Sequence, residues 1–176
     1  MKIIYTHGFR SQGNSFKSVA LRERFGDDNV VYPDLPTNAD ATEAILDKIV
    51  KENTNFPIVF VGTSLGGFWA NYIAQKYDIP CVIVNPCFKP SISLKKYGEN
   101  VDGYAQREVW LENNTNGNLI SLFVAKNDTV LSAKEMLAAY PHTASTTILK
   151  DGGHRFDIHW NLVVDKVSEI VKFKEE

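Results

Sequence analysis

Six short runs of apolar, β-branched or aromatic residues punctuate the chain: KIIYT at 2–6, NVVYP at 29–33, PIVFVG at 57–62, CVIVN at 81–85, LISLFVA at 119–125 and TTILK at 146–150. Several are continuously apolar rather than alternating, the pattern of parallel strands covered by helices on both faces. Between them, apolar positions recur at helical spacing. Residues 15–25 read as a helix capped by Ser15, with Phe16, Val19 and Ala20 on one face. Residues 40–52 bring Ala41, Ile45 and Ile49 together with Leu46 and Val50, and 65–77 carry Phe68, Trp69, Tyr72 and Ile73. A last helix over 159–173 carries the stripe Leu162, Val163, Val167 and Ile170. This alternation predicts an α/β protein built on a doubly wound, mostly parallel sheet of about six strands, with helices on both faces.

One segment interrupts the rhythm. Residues 86–118 separate consecutive strands and are rich in Lys, Asn, Gly and Tyr, long enough to contain one or two short helices. The segment reads either as an inserted crossover with a decorated loop or as a minimal lid. No repeat, low-complexity tract or linker divides the chain, so 1–176 is expected to form a single domain.

Composition narrows the classes. With 19 basic and 21 acidic side chains and a net charge of -2, nothing points to a nucleic-acid partner. Two cysteines, Cys81 and Cys87, are too few for a disulfide scaffold and lack metal-ligand spacing, so both are expected to be structural and no metal is expected. The start MKIIYTHG is unlike a signal peptide and no stretch is long enough to span a bilayer, which predicts no membrane span and a cytoplasmic location.

The chemistry centres on Val59-Phe60-Val61-Gly62-Thr63-Ser64-Leu65-Gly66-Gly67-Phe68, where an apolar strand runs through Gly-x-Ser-x-Gly into a helix. A serine on such a sharp turn adopts strained angles that lift its hydroxyl clear of the sheet, and small residues two before and two after permit the close approach. In this arrangement an acid and then a histidine follow the serine in chain order, each after a later strand. Asp128 lies three residues past LISLFVA, and His154 lies in the Gly152-Gly153-His154 turn after TTILK. By the same rule Asp102, Asp151, His142 and His159 are set aside, the two histidines as surface or capping groups. The oxyanion donors are expected to be the backbone N–H groups of Leu65 and of Phe9, in the Thr6-His7-Gly8-Phe9 loop, with His7 bracing that loop. Arg10 and Arg155 adjoin these residues. They read either as ligands for an anionic substrate group or as braces paired with Asp34, Asp151 or Asp157.

Together these segments resemble the α/β-hydrolase superfamily, and more narrowly the small bacterial YqiA/YcfP-like esterases. The carriers are His7-Gly8-Phe9, Ser11, Lys17, Gly62-Thr63-Ser64-Leu65-Gly66-Gly67, Asn85-Pro86, Asp128-Thr129-Val130-Leu131 and Gly152-Gly153-His154-Arg155-Phe156. The resemblance implies a compact hydrolase, lacking the first two strands of larger members, that acts on small-molecule carboxylic esters or thioesters without a cofactor. The expected mechanism is hydrolysis through an acyl-serine intermediate, with Ser64, Asp128 and His154 as the triad. An acyltransferase or acyl-CoA thioesterase using the same triad, and a non-catalytic ligand-binding or signalling protein of the same fold, are the alternatives.

Overall fold

In the computed structural model, which describes residues 1–173, all six apolar runs contribute strands to one sheet. Residues 174–176, the end of the span read from sequence as one domain, lie outside the described residues. The strands are β1 (Lys2–Thr6), β2 (Val30–Val31), β3 (Ile58–Thr63), β4 (Cys81–Val84), β5 (Ile120–Ala125) and β6 (Ser145–Leu149). They lie in the order β2-β1-β3-β4-β5-β6. Every pairing is parallel, so the sheet is wholly rather than mostly parallel. From β1 the chain steps outward to β2 and then crosses back to β3 on the other side of β1. The strand order therefore reverses between β1 and β3, and in such sheets the ligand crevice opens at the carboxyl ends beside that reversal.

Two apolar layers sandwich the sheet. Helices α1 (Phe16–Phe25) and α7 (Trp160–Phe173) cover one face, and their layer takes Val59 and Val61 from β3. Helices α2 (Ala39–Glu52), α3 (Leu65–Tyr77), α5 (Tyr104–Asn114) and α6 (Ala133–Ala139) cover the other, whose layer takes Ile58 and Phe60. Alternate residues of β3 thus enter opposite cores, which is why its sequence is apolar throughout. Between β4 and α5 lies a single helical turn, α4 (Pro90–Ser93). Among the described residues no helix is long and apolar enough to cross a membrane.

Several boundaries and faces differ from the sequence reading. The run 29–33 shrinks to the pair Val30–Val31, because Asn29 belongs to a 3-10 turn and Pro33 has no N–H to give a ladder. Helix α1 buries Lys17, Ser18 and Leu21, while Phe16 and Val19 are 59% and 36% exposed. Leu21 is the apolar residue of α1 that enters the core, while Phe16 lines a cleft beside Ser64. Helix α6 escaped the periodicity altogether. It has seven residues, buries Met136, and starts where Ser132 accepts a hydrogen bond from the Glu135 amide at 3.3 Å.

The 86–118 stretch does two things. Its helix α5 packs on α3, with Trp110 edge-on to Tyr72 at 5.4 Å between ring centroids. Ahead of it, Leu94 and Tyr97 wall a cleft beside Ser64.

Candidate active site

Ser64 ends β3 and begins α3 with φ 53° and ψ −120°, in the region L residues normally avoid. The turn is held by backbone bonds: the Ser64 amide donates to the Val84 carbonyl at 3.0 Å, and the Ser64 carbonyl accepts from Gly67 and Cys87, both at 2.9 Å. A Cβ on Gly62 would stand 2.2 Å from the Gly66 carbonyl oxygen, and one on Gly66 2.0 Å from that of Thr6. Nothing larger than glycine fits either place, which explains the spacing of the motif around the serine.

The loop after β6 brings His154 to this serine. Its Nε2 lies 2.9 Å from Ser64 Oγ, across 90 residues of sequence. Its Nδ1 lies 2.7 Å from Asp128 Oδ2, in the loop after β5. A carboxylate only accepts, so Nδ1 carries the hydrogen and Nε2 is left as the acceptor for the serine hydroxyl. The Asp128 side chain is shielded from solvent, and its Oδ1 accepts from the amides of Val130 at 2.7 Å and Leu131 at 2.9 Å. Burial alone would raise the Asp128 carboxyl. The hydrogen bonds from His154, Leu131 and Val130 outweigh it and hold the group below the usual carboxylate range, fixed as an anion under the imidazole.

Two asparagines set the histidine loop. Asn85 is fully buried at φ 41°, accepts from the Ala125 amide at 2.9 Å, and donates to the carbonyls of Gly153 at 2.9 Å and His154 at 3.1 Å. Asn127 accepts from the Gly153 amide at 2.8 Å. Phe156 anchors the far end of the loop in the core, edge-on to Phe123 at 6.0 Å. From sequence Asn85 carried only a resemblance, and its work on the loop went unseen; Asn127 was not singled out. An Asn directly after a strand, where a left-handed turn begins, was the available signal for Asn85.

Leu65 and Phe9 flank Ser64, and neither amide donates a hydrogen bond among the described residues, leaving both open to a ligand oxygen. His7 braces the Phe9 loop from below: its Nδ1 donates to the Gly8 carbonyl at 2.8 Å and its Nε2 accepts from the Leu35 amide at 2.9 Å. Both ring nitrogens of His7 are thus engaged within the protein.

Arg10 and Arg155 both line a cleft beside Ser64, and both already have carboxylate partners. Arg155 Nε pairs with Asp157 at 2.9 Å. Arg10 pairs with Glu99 at 3.4 Å rather than with Asp34, which instead accepts from the Gly13 amide at 2.7 Å. Asp151 is taken up by His159 at 2.8 Å, away from His154. Cys81 and Cys87 are free and buried; burial pushes the Cys81 thiol up and that of Cys87 to about 11. Among the described residues no group of three or more His, Cys, Asp or Glu side chains could hold a metal ion.

Comparison with known proteins completes the description. The sequence profile of an uncharacterised protein family, UPF0227, matches residues 2–175. A UPF0227 protein of Pectobacterium atrosepticum is 32% identical over 110 residues, a match spanning 60% of this chain and only 57% of that relative's length. The UPF0227 protein YcfP of Escherichia coli is 25% identical over 162 residues, covering 88% of this chain and 90% of the relative. Among solved structures, α/β-hydrolase domain-containing protein 10 from mouse superposes with a TM-score of 0.72 at 14% identity, over 97% of this chain and 89% of its own. At that identity the likeness establishes an α/β-hydrolase fold.

Proposed function

The chain belongs to the UPF0227 family, and from its α/β-hydrolase fold and site geometry we propose that it is a serine hydrolase of small carboxylic esters or thioesters. One observation carries the reading. Ser64 Oγ, His154 Nε2, His154 Nδ1 and Asp128 Oδ2 form an unbroken line of contacts at 2.9 and 2.7 Å, with the serine on a strained turn.

In this reading Ser64 Oγ attacks the substrate carbonyl carbon while His154 Nε2 takes its proton. The carbonyl electron pair moves onto oxygen, where the Leu65 and Phe9 amides receive it. Asp128 keeps the hydrogen on Nδ1 and offsets the positive charge the imidazole gains. The imidazolium then gives its proton to the departing alkoxide or thiolate, leaving an acyl-serine. Water repeats the cycle with the acyl group as electrophile, releasing the carboxylic acid and restoring Ser64. No step needs a cofactor. Two free, buried thiols fit a cytoplasmic setting.

Turnover of an ester and thioester panel by the wild type, Ser64→Ala and Asp128→Asn tests this. Ser64→Ala is expected to show no turnover above background. Asp128→Asn, which turns the imidazole to the wrong tautomer, is expected to lose about 10³–10⁴-fold in kcat. Near-normal turnover by Ser64→Ala would refute the proposal.

A further inference from the structure

The Ser64–His154 pair stands on a wall shared by two clefts, one richer in charged groups and one more apolar. One, of about 200 Å³, is lined mainly by Leu65, Cys87, Leu94, Tyr97, Val130 and Leu131, with exposed Lys96 at its wall. The other, of about 280 Å³, is lined by Lys17, Arg10, Arg155 and Asp157 together with Tyr5 and Phe16. Resting on the hydrolase reading, we propose that the substrate is an ester with one apolar arm and one arm ending in a carboxylate or phosphate, and that Lys17 is the residue that selects the anion.

Lys17 is unusual for a lysine in being only 8% exposed. Burying an ammonium is costly unless it is paired, and its Nζ lies 2.6 Å from Asp157 Oδ1. Asp157 is shared, because its other oxygen is engaged by Arg155 Nε at 2.9 Å. One carboxylate therefore faces two cations. Arg10 adds a third, offset by Glu99, so the cleft keeps a net positive charge. Lys17 also sits in the first turn of α1, whose leading amides have no partner within the helix and whose dipole favours an anion.

The fold does not depend on the ammonium for this placement. The Trp160 indole N–H holds the Lys17 backbone carbonyl at 3.2 Å, and removal of the ammonium still leaves Asp157 paired with Arg155. The side chains of Arg10 and Arg155 are 64% and 82% exposed and remain hydrated, whereas that of Lys17 is buried. A fixed, dehydrated cation discriminates an anion from its neutral isostere far better than a mobile, hydrated one.

Two matched substrate pairs test the inference. In the first the charge is on the acyl arm: para-nitrophenyl hemiglutarate against para-nitrophenyl pentanoate. In the second it is on the leaving group: para-acetoxybenzoate against its methyl ester. The anionic member of at least one pair is expected to have a KM about tenfold below its neutral partner. Lys17→Met is expected to erase that ratio, and Asp157→Asn, which frees the ammonium, to widen it. Equal KM values within both pairs, or a Lys17→Met effect that falls equally on both members, would overturn the inference. A fluorophosphonate label on the same preparations separates the two readings. If neither label nor turnover appears, the hydrolase reading fails and takes the inference with it.

Discussion

At the scale of single residues, the Ser64–His154–Asp128 geometry is held by groups outside that cluster. Asn85 is the clearest. Its amide joins the end of β4 to the histidine loop 68 residues away, and its oxygen fixes β5 through Ala125. Asn is well suited to the post, since it tolerates the φ of 41° better than most residues and offers both a donor and an acceptor. Asn85→Asp keeps the backbone preference and the acceptor but loses both donors to the Gly153 and His154 carbonyls. The imidazole should then sit less firmly, lowering kcat about 10–100-fold with KM little changed. Steady-state kinetics on one neutral ester would read this split; an unchanged kcat would show that the asparagine merely fills space.

At the scale of elements, α2, α3 and α5 are stitched together by Glu43. Its carboxylate accepts from Tyr72 Oη at 3.1 Å, Lys76 Nζ at 2.7 Å and Arg107 Nε at 2.7 Å, and Arg107 Nη2 also reaches it. Burial would raise this carboxyl, but Lys76 and Arg107 outweigh it and hold it below the ordinary range. A depressed folded-state value means that the stabilisation is present above the ordinary carboxylate range and is lost as acid titrates the folded protein. Glu43→Gln should therefore cost on the order of 1–3 kcal/mol near neutral pH and flatten the fall in urea midpoint on acidification. An unaltered pH dependence would remove Glu43 from this role.

The elements also show what a single chain reveals. Helix α3 and the Ser64 turn were legible because strand, glycines and helix are contiguous, so local sterics alone dictate them. Asp128 and His154 were legible as loop residues after strands. Lys17 with Asp157, 140 residues apart, was not, because only tertiary folding makes them neighbours. The inward face of α1 was misread for the same reason: Phe16 answers to a cleft wall rather than to the sheet. Edge strand β2 has only two paired residues, too few for its own pattern to mark the ends.

At the scale of the whole molecule, the site exists because the sheet is parallel. Ser64, Asp128 and His154 follow β3, β5 and β6, and Phe9 follows β1. All four strands point the same way, so their following loops converge at one edge, beside the reversal between β1 and β3. The first turn of α1 and the turn ahead of α7 contribute the charged cleft through Lys17 and Asp157, while the segment ahead of α5 and the loop after β5 wall the more apolar one. The central claim is that this convergence activates one hydroxyl out of many. Treatment with a fluorophosphonate followed by peptide mass spectrometry tests it most directly. The expected result is a single modified residue, Ser64, with the modification lost in His154→Ala although the serine is still present. Modification of another residue, or equal labelling of Ser64 without the histidine, would contradict it.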